Sequence, residues 1–536
     1  MASADREDKG GVALVLHAHM PWVLDADASV CEWLFEAAAE CYLPLLAALR
    51  ELISEGISPQ ITIGLTPILL EQMEAPEFSG RFDAWLMGRI DAAEADELAL
   101  RDEGEPELAA LATEWRQEFC HVRRLFDAEG GSIVRGFAQL WSDGHIDLMS
   151  SAATHAYLPL LADDSRVMMQ IQAGMDASRR HLGARPGGFW LPECGYAPKR
   201  LWRPPLREMQ GEPLRPRCGI GELLARCGAA WTVLDSAQVI GGAPGAASDS
   251  FRTRSRAGPK QQPGHAPLPV FALEQRGGVA AFCRSSQLSE SVWSADSGYP
   301  GHADYREFHR TRFPSRLRYW RVTARDGDLA GRMPYVIPAG RAQAEADAAD
   351  FVRRCCALTA TGSSDGTSGV VVGAYDAELF GHWWHEGVAF LKAVIRGLQT
   401  SGEVRAVTCR SRLEEYPPAV VAAPPAGSWG DGGADAVWMN HDTESVWADI
   451  YRCEGAFEAR LARGPGVATG LEEANRWLML MEASDWPFAI STLRNPEFAR
   501  RTVAALRGRF EQALCRAPGD AGADGRMAPF AWLNLP

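Results

Sequence analysis

Two carboxylates, Glu193 in LPECGY (191–196) and Asp376 in AYDAELFGHWW (374–384), each stand at the end of an apolar run. Phe189 to Leu191 lead into the first, and Val370 to Ala374 lead into the second. Such runs read as buried strands, and a parallel barrel gathers the C-terminal ends of its strands on the face that carries the active site. Two carboxylates brought together there can break a glycosidic bond: one attacks or stabilises the sugar, the other protonates the departing oxygen. Pro192 fixes the backbone just before Glu193. Asp376 sits among Tyr375, Phe380, Trp383 and Trp384, an aromatic setting that raises a carboxyl pKa and suits a proton donor.

His17 and His19 form an H-x-H pair at the end of the first apolar run. Alternate strand residues share a face, so both imidazoles can enter one cavity. Three roles are open to them: ligands to a metal, donors to sugar hydroxyls, or polar packing beside the carboxylates. A metal would need further ligands, and His155, Asp235 and His382 are the candidates, although none lies in a compact ligand motif. Tryptophan is abundant, 18 residues against 10 tyrosines. Flat rings with one polar handle fill cores or stack on sugar faces, and those in Gly-rich loops are the better stacking candidates.

The elements that must position these residues alternate. GVALVLHAHMPWV reads as a strand and WLFEAAAECYLPLLAALREL as a helix, followed by ISPQITIGLTP as a second strand. Residues 75–149 are almost wholly helical in pattern, an inserted subdomain. The alternation resumes through IDLMSSAATHAYLPLL, GGFWLPECGY, AAWTVLDSA, GVAAFCRSS and VVVGAYDAE. From about residue 410 the pattern is helical again. The segment 241–269, rich in Gly, Pro, Ala and basic residues, has the composition of a lid or a disordered loop.

A chain of 536 residues exceeds one compact core, so two or three domains are expected. Hydrophobic residues at 46% and charged residues at 23% describe an ordinary globular protein. A net charge of −15 repels polyanions, which argues against nucleic acid and suits a neutral or cationic substrate. The opening MASADREDKG lacks an apolar signal core and no apolar stretch is long enough to span a bilayer, so a cytoplasmic protein without a membrane partner is expected. The twelve cysteines show no C-x-x-C spacing and read as reduced thiols. No extended apolar interface is apparent, so a monomer is expected.

The strings HAHMPW, THAYLP, GFWLPECGY and YDAELFGHWWHEG resemble the motifs of glycoside hydrolase family 57. SWGDGGADAVWMN, EASDWPF and GYPGHADYREFHR resemble its α-1,4-glucan branching enzymes in particular, and the matches run in order from about residue 12 to 490. The resemblance implies an α/β fold: an incomplete (β/α)7 barrel (1–74 and 150–405) with an inserted helical subdomain (75–149) and an α-helical C-terminal domain (406–536). It implies Glu193 as nucleophile and Asp376 as general acid/base. His17, His19, Trp33, His155, Trp293, Trp429, Trp438 and Asp485 would bind an α-glucan such as amylose or glycogen, with no metal or other cofactor.

The implied reaction is a retaining double displacement, in which a glucan chain held on Glu193 passes to a 6-hydroxyl. A 4-hydroxyl acceptor would make a 4-α-glucanotransferase, and water an α-amylase. A metal-dependent hydrolase and a non-catalytic glucan-binding protein are the remaining alternatives. The chain departs from the branching-enzyme pattern in two places. Loop 241–269 contains no Tyr, and His309 stands where a Tyr is usual, so a larger hydrolytic share is expected.

Overall fold

The computed structural model describes residues 9–239, 269–294, 297–322, 333–361, 369–463, 470–516 and 529–533. Seven parallel strands form a closed ring: β1 Gly10–Ala18, β2 Ile61–Leu65, β3 Ile146–Ser151, β4 Gly188–Trp190, β5 Trp231–Asp235, β6 Ala280–Arg284 and β7 Val370–Asp376. Each strand pairs with its successor in the chain. β7 closes the ring by pairing with β1 along its length and with β6 at Val372 and Arg284. This is a (β/α)7 barrel, as the resemblance implies, and the incomplete ring expected there is closed by the single contact of Val372 with Arg284.

Strand alternation decides which side chains enter the barrel. Ala13 and Val15 of β1, with Val370, Val372 and Ala374 of β7, pack with Trp190, Val233 and Phe282 in one interior cluster. Val12, Leu14 and Leu16 point the other way, into the larger core beneath the helices. Two residues beyond Val15 and Ala374 on the interior register stand His17 and Asp376, and these two are neighbours across the β1–β7 pair. The opening H-x-H string and the second carboxylate are therefore adjacent by register.

Around the barrel lie the helices Ala28–Ala37 and Leu43–Ser54 (joined by a π-helical turn), Asp164–Leu182, Ile337–Thr361 and Gly387–Thr400. Between β2 and β3 the chain forms the long helices Phe78–Asp102 and Pro106–Ala128 and the shorter Ile133–Ser142. Toward the C-terminus come Glu444–Leu461, Leu471–Met481, Asp485–Ser491 and Pro496–Leu514. No helix among the described residues is long and apolar enough to cross a membrane.

Short strands depart from the sequence reading. The chain after about residue 410 reads as helical, yet Val420–Ala422 is a strand parallel to Phe271–Leu273, which in turn pairs antiparallel with β6. Three residues bracketed by Pro417, Pro418, Pro424 and Pro425 are too few to show a period. Val404–Ala406 likewise adds a parallel strand beside the start of β1. Loop 241–269, except for Pro269, lies outside the described residues.

Candidate active site

Glu193 sits in a tight 3-10 turn, Pro192–Cys194, just past the end of β4. Its φ is +61° and that of Cys194 is +51°, left-handed values that non-glycine residues adopt at a cost. The turn is held from the far end of the chain. Trp429 donates its backbone N–H to the Glu193 carbonyl (3.0 Å) and its indole N–H to Oε2 (2.8 Å). The Ser484 hydroxyl donates to Oε1 at 2.9 Å. Burial raises the Glu193 carboxyl to about 7 and Asp485 adds to the rise, while the Trp429 and Ser484 hydrogen bonds and the His19 charge oppose it.

Asp376 ends β7 on the interior register. Burial, then the negative charges of Glu378 and Glu193, push its carboxyl well above the usual range, and only Arg284 opposes them. Glu193 and Asp376 both line one cavity of about 910 Å³. Arg284 is itself paired with Asp235 (2.5 Å) and stacks on the Trp429 ring at 5.0 Å.

Three histidines form a stack against Trp190. His17 lies 4.6 Å from the Trp190 ring and 4.9 Å from that of His155, and His19 lies 4.0 Å from His155. Their hydrogen bonds fix a chain of donors. His17 Nε2 meets His155 Nε2 at 3.0 Å, and His155 Nδ1 meets the Ser484 hydroxyl at 2.9 Å. Because that hydroxyl gives its proton to Glu193, His155 must carry its proton on Nδ1, and His17 must then donate from Nε2. Burial, followed by the neighbouring His19 charge, lowers both His17 and His155 well below the usual imidazole value, so both are neutral. His19 differs: burial opposes its charge, but Asp485, Glu378 and Glu193 outweigh it and raise its pKa. Its Nε2 lies 3.0 Å from Asp485 and its Nδ1 3.0 Å from the Thr66 hydroxyl.

Among the described residues, His19, His155 and Asp485 are the one group whose ligand atoms lie close enough to hold a metal, within 4.8 Å of one another. Each already has a protein partner, since His19 pairs with Asp485 and His155 with Ser484. Of the further ligands considered from sequence, His155 joins the group, whereas Asp235 and His382 do not, and His17 of the H-x-H pair is outside it. Asp235 is paired with Arg284, and His382 bonds Glu40 at 2.7 Å.

All ten site candidates line the cavity: His17, His19, Trp33, His155, Glu193, Trp293, Asp376, Trp429, Trp438 and Asp485. The tryptophans are not equivalent. Trp33, Trp293 and Trp429 are partly exposed, whereas Trp438 is 1% exposed and stacked on Tyr157 at 4.5 Å. Gly430 makes room for it, since a Cβ there would meet the Trp438 ring at 2.7 Å. His309 is exposed and is not among the lining residues, whereas its neighbour Phe308 is one of them.

Sequence reasoning missed Ser484, Arg284 and Glu378, although each acts on one of the two acids. Their signals were present but faint. Arg284 ends the strand read from GVAAFCRSS, Glu378 stands two residues after Asp376, and Ser484 immediately precedes Asp485.

The profile described as Glycosyl hydrolase family 57 matches residues 13–424. A 1,4-alpha-glucan branching enzyme of Thermococcus kodakarensis is 33% identical over 510 residues, covering 92% of this chain and 72% of the relative. The solved GH57-type branching enzyme of Pyrococcus horikoshii matches with a TM-score of 0.84 and 30% identity, over 94% of this chain and 89% of its own. The alpha-amylase AmyC of Thermotoga maritima matches with a TM-score of 0.75 and 26% identity, over 94% and 93%. This chain belongs to glycosyl hydrolase family 57.

Proposed function

We infer that the protein is a 1,4-α-glucan branching enzyme that works by a retaining double displacement on Glu193. The observation that carries this reading is that Glu193 and Asp376, each at the C-terminal end of a barrel strand, line one cavity of about 910 Å³. Glu193 attacks C1 of an α-1,4-linked glucose unit while Asp376 protonates the leaving 4-oxygen, giving a covalent glycosyl-enzyme. Asp376, now ionised, then takes the proton of an incoming 6-hydroxyl, and the chain is transferred as an α-1,6 branch.

The surrounding groups support these assignments. Nucleophilic attack needs an ionised carboxylate, and two donors, Trp429 and Ser484, favour that form of Glu193. General acid catalysis needs a proton, and desolvation of Asp376 together with the negative charges of Glu378 and Glu193 favours its neutral form. Neutral His17 and His155 line the cavity beside the nucleophile, where rings already bonded to each other and to Ser484 border the sugar site as polar packing. Trp33, Trp293, Trp429 and the edge of Trp438 provide apolar walls that a sugar face can cover and that keep water from the intermediate.

In this reading the helical insertion (75–149) and the C-terminal region (406–536) flank the barrel (1–74 and 150–405), and the C-terminal region supplies Trp429, Trp438 and Asp485. The enzyme is proposed to act as a monomer on an α-glucan. Twelve free thiols fit a reducing cytoplasm. The similarity to an alpha-amylase favours a second reading, transfer to water with the same pair of acids.

Incubation with amylose followed by linkage analysis of the products separates the two. Branching requires falling iodine absorbance with new α-1,6 linkages. Reducing sugar without branches would mean hydrolysis, and redistributed α-1,4 chains would mean glucanotransfer.

A further inference from the structure

The Ser484 hydroxyl reaches Glu193 from a short strap, Glu482 to Asp485, between the helices Leu471–Met481 and Asp485–Ser491. The next residue, Asp485, bonds His19. The front of this strap is therefore built into the site, and its back is buried in a polar cluster. Glu482 is 0% exposed and meets Arg166, also 0% exposed, at 2.7 Å. Arg166 extends its other arm to Asn475 (2.7 Å). Gln170 donates to the second Glu482 oxygen at 2.7 Å and to Met479 O at 3.2 Å.

The same cluster grips the other side of the nucleophile. The Gln170 amide oxygen accepts the backbone N–H of Thr154 at 3.1 Å, next to His155, whose φ is +57°. The strap and this turn are tied directly as well, since Ser484 N–H donates to the His155 carbonyl at 3.0 Å and Ala156 bridges Ala483. Two neighbours of Glu193, Ser484 and His155, thus depend on one buried anchor whose members Arg166, Gln170 and Glu482 do not line the cavity. Desolvating an Arg–Glu pair is costly, and replacing such pairs with apolar residues is often neutral or stabilising. Stability alone is a weak account of this cluster; fixed geometry is a better one.

We propose that Arg166, Glu482 and Gln170 are positioning residues that act through Ser484 and His155 to hold Glu193 in its reactive orientation and ionised form. The idea rests on Glu193 being the nucleophile. A displacement of about 1 Å at a reacting group costs on the order of 10²-fold in rate. E482Q keeps shape but loosens the Arg166 contact, and Glu454, whose carboxyl is pushed upward by burial and by Glu482, loses the second of these influences and can balance Arg166.

The test is a double-mutant cycle on amylose with E482Q, S484A and the pair, recording kcat, KM and the pH profile of kcat/KM. For E482Q the expected result is roughly a 10–100-fold loss in kcat with KM little changed. The acid limb should move to higher pH because the Ser484 hydrogen bond no longer lowers Glu193. The double variant should lose clearly less than the product of the two single losses, because the Ser484 route is shared and only the His155 route is additional. Folded E482Q with wild-type kcat and pH profile, or losses that simply multiply, would overturn the proposal. R166K, which keeps the charge but not the planar fork, is run in the same cycle and decides the matter if E482Q does not accumulate folded. Loss of the nucleophile reading itself would show differently, as an E193Q variant that still turns over.

Discussion

At the scale of single residues, the account depends on two carboxyls in opposite protonation states. Glu193 titrates at about 7 and must be ionised to attack, so kcat/KM should fall as pH drops through that value. Asp376, pushed upward by burial and by the charges of Glu378 and Glu193, is the acid whose deprotonation should set the high-pH fall of the same profile. Removing the indole donor with W429F takes away the larger of the two hydrogen bonds that lower Glu193, so the acid limb should move upward in a pH–rate profile. E193Q keeps the shape and removes the nucleophile; turnover should drop by on the order of 10³-fold or more while a melting curve stays near wild type. Both acids were legible in the sequence because each ends an apolar run in a distinctive string. Ser484 was not, since a serine carries no such signature and its partner lies 291 positions away.

At the scale of elements, the interior register of β1 and β7 does the positioning. Its alternation could be read directly from VALVLHAH and VVVGAYD, and the pairing of His17 with Asp376 follows once the two strands are neighbours. The turn at Glu193 could not be read this way. Its left-handed backbone is stabilised by Trp429 and Ser484, which are distant in sequence, and local propensity does not anticipate such a turn. The Gly-rich stretch around Trp429 gave a partial signal. Gly430 is needed for space rather than for φ: a methyl group there meets a Trp438 ring that cannot retreat, because it stacks on Tyr157 and its carbonyl accepts the Trp447 indole at 2.7 Å. G430A should therefore cost about 1–3 kcal/mol in a denaturation experiment. It should also raise KM for long glucans more than it lowers kcat.

At the scale of the whole molecule, segments from both ends of the chain close one cleft, and the resemblance in sequence anticipated which ones. The residues that face each other across it became visible only in three dimensions. His19, His155 and Asp485 are close enough to hold a metal, yet they bond one another and Ser484 instead. Prolonged dialysis against EDTA should thus leave branching activity intact, whereas a metal-dependent hydrolase would be silenced and regain activity with zinc. The central claim is that the glucan passes through a covalent bond to Glu193. Its most direct test uses D376N, which cannot complete acid/base catalysis, with α-glucosyl fluoride, whose leaving group needs no proton. The account predicts a glycosyl adduct on the peptide that contains Glu193, found by mass spectrometry. An adduct on another residue, or steady release of sugar with inverted configuration and no adduct, would contradict it.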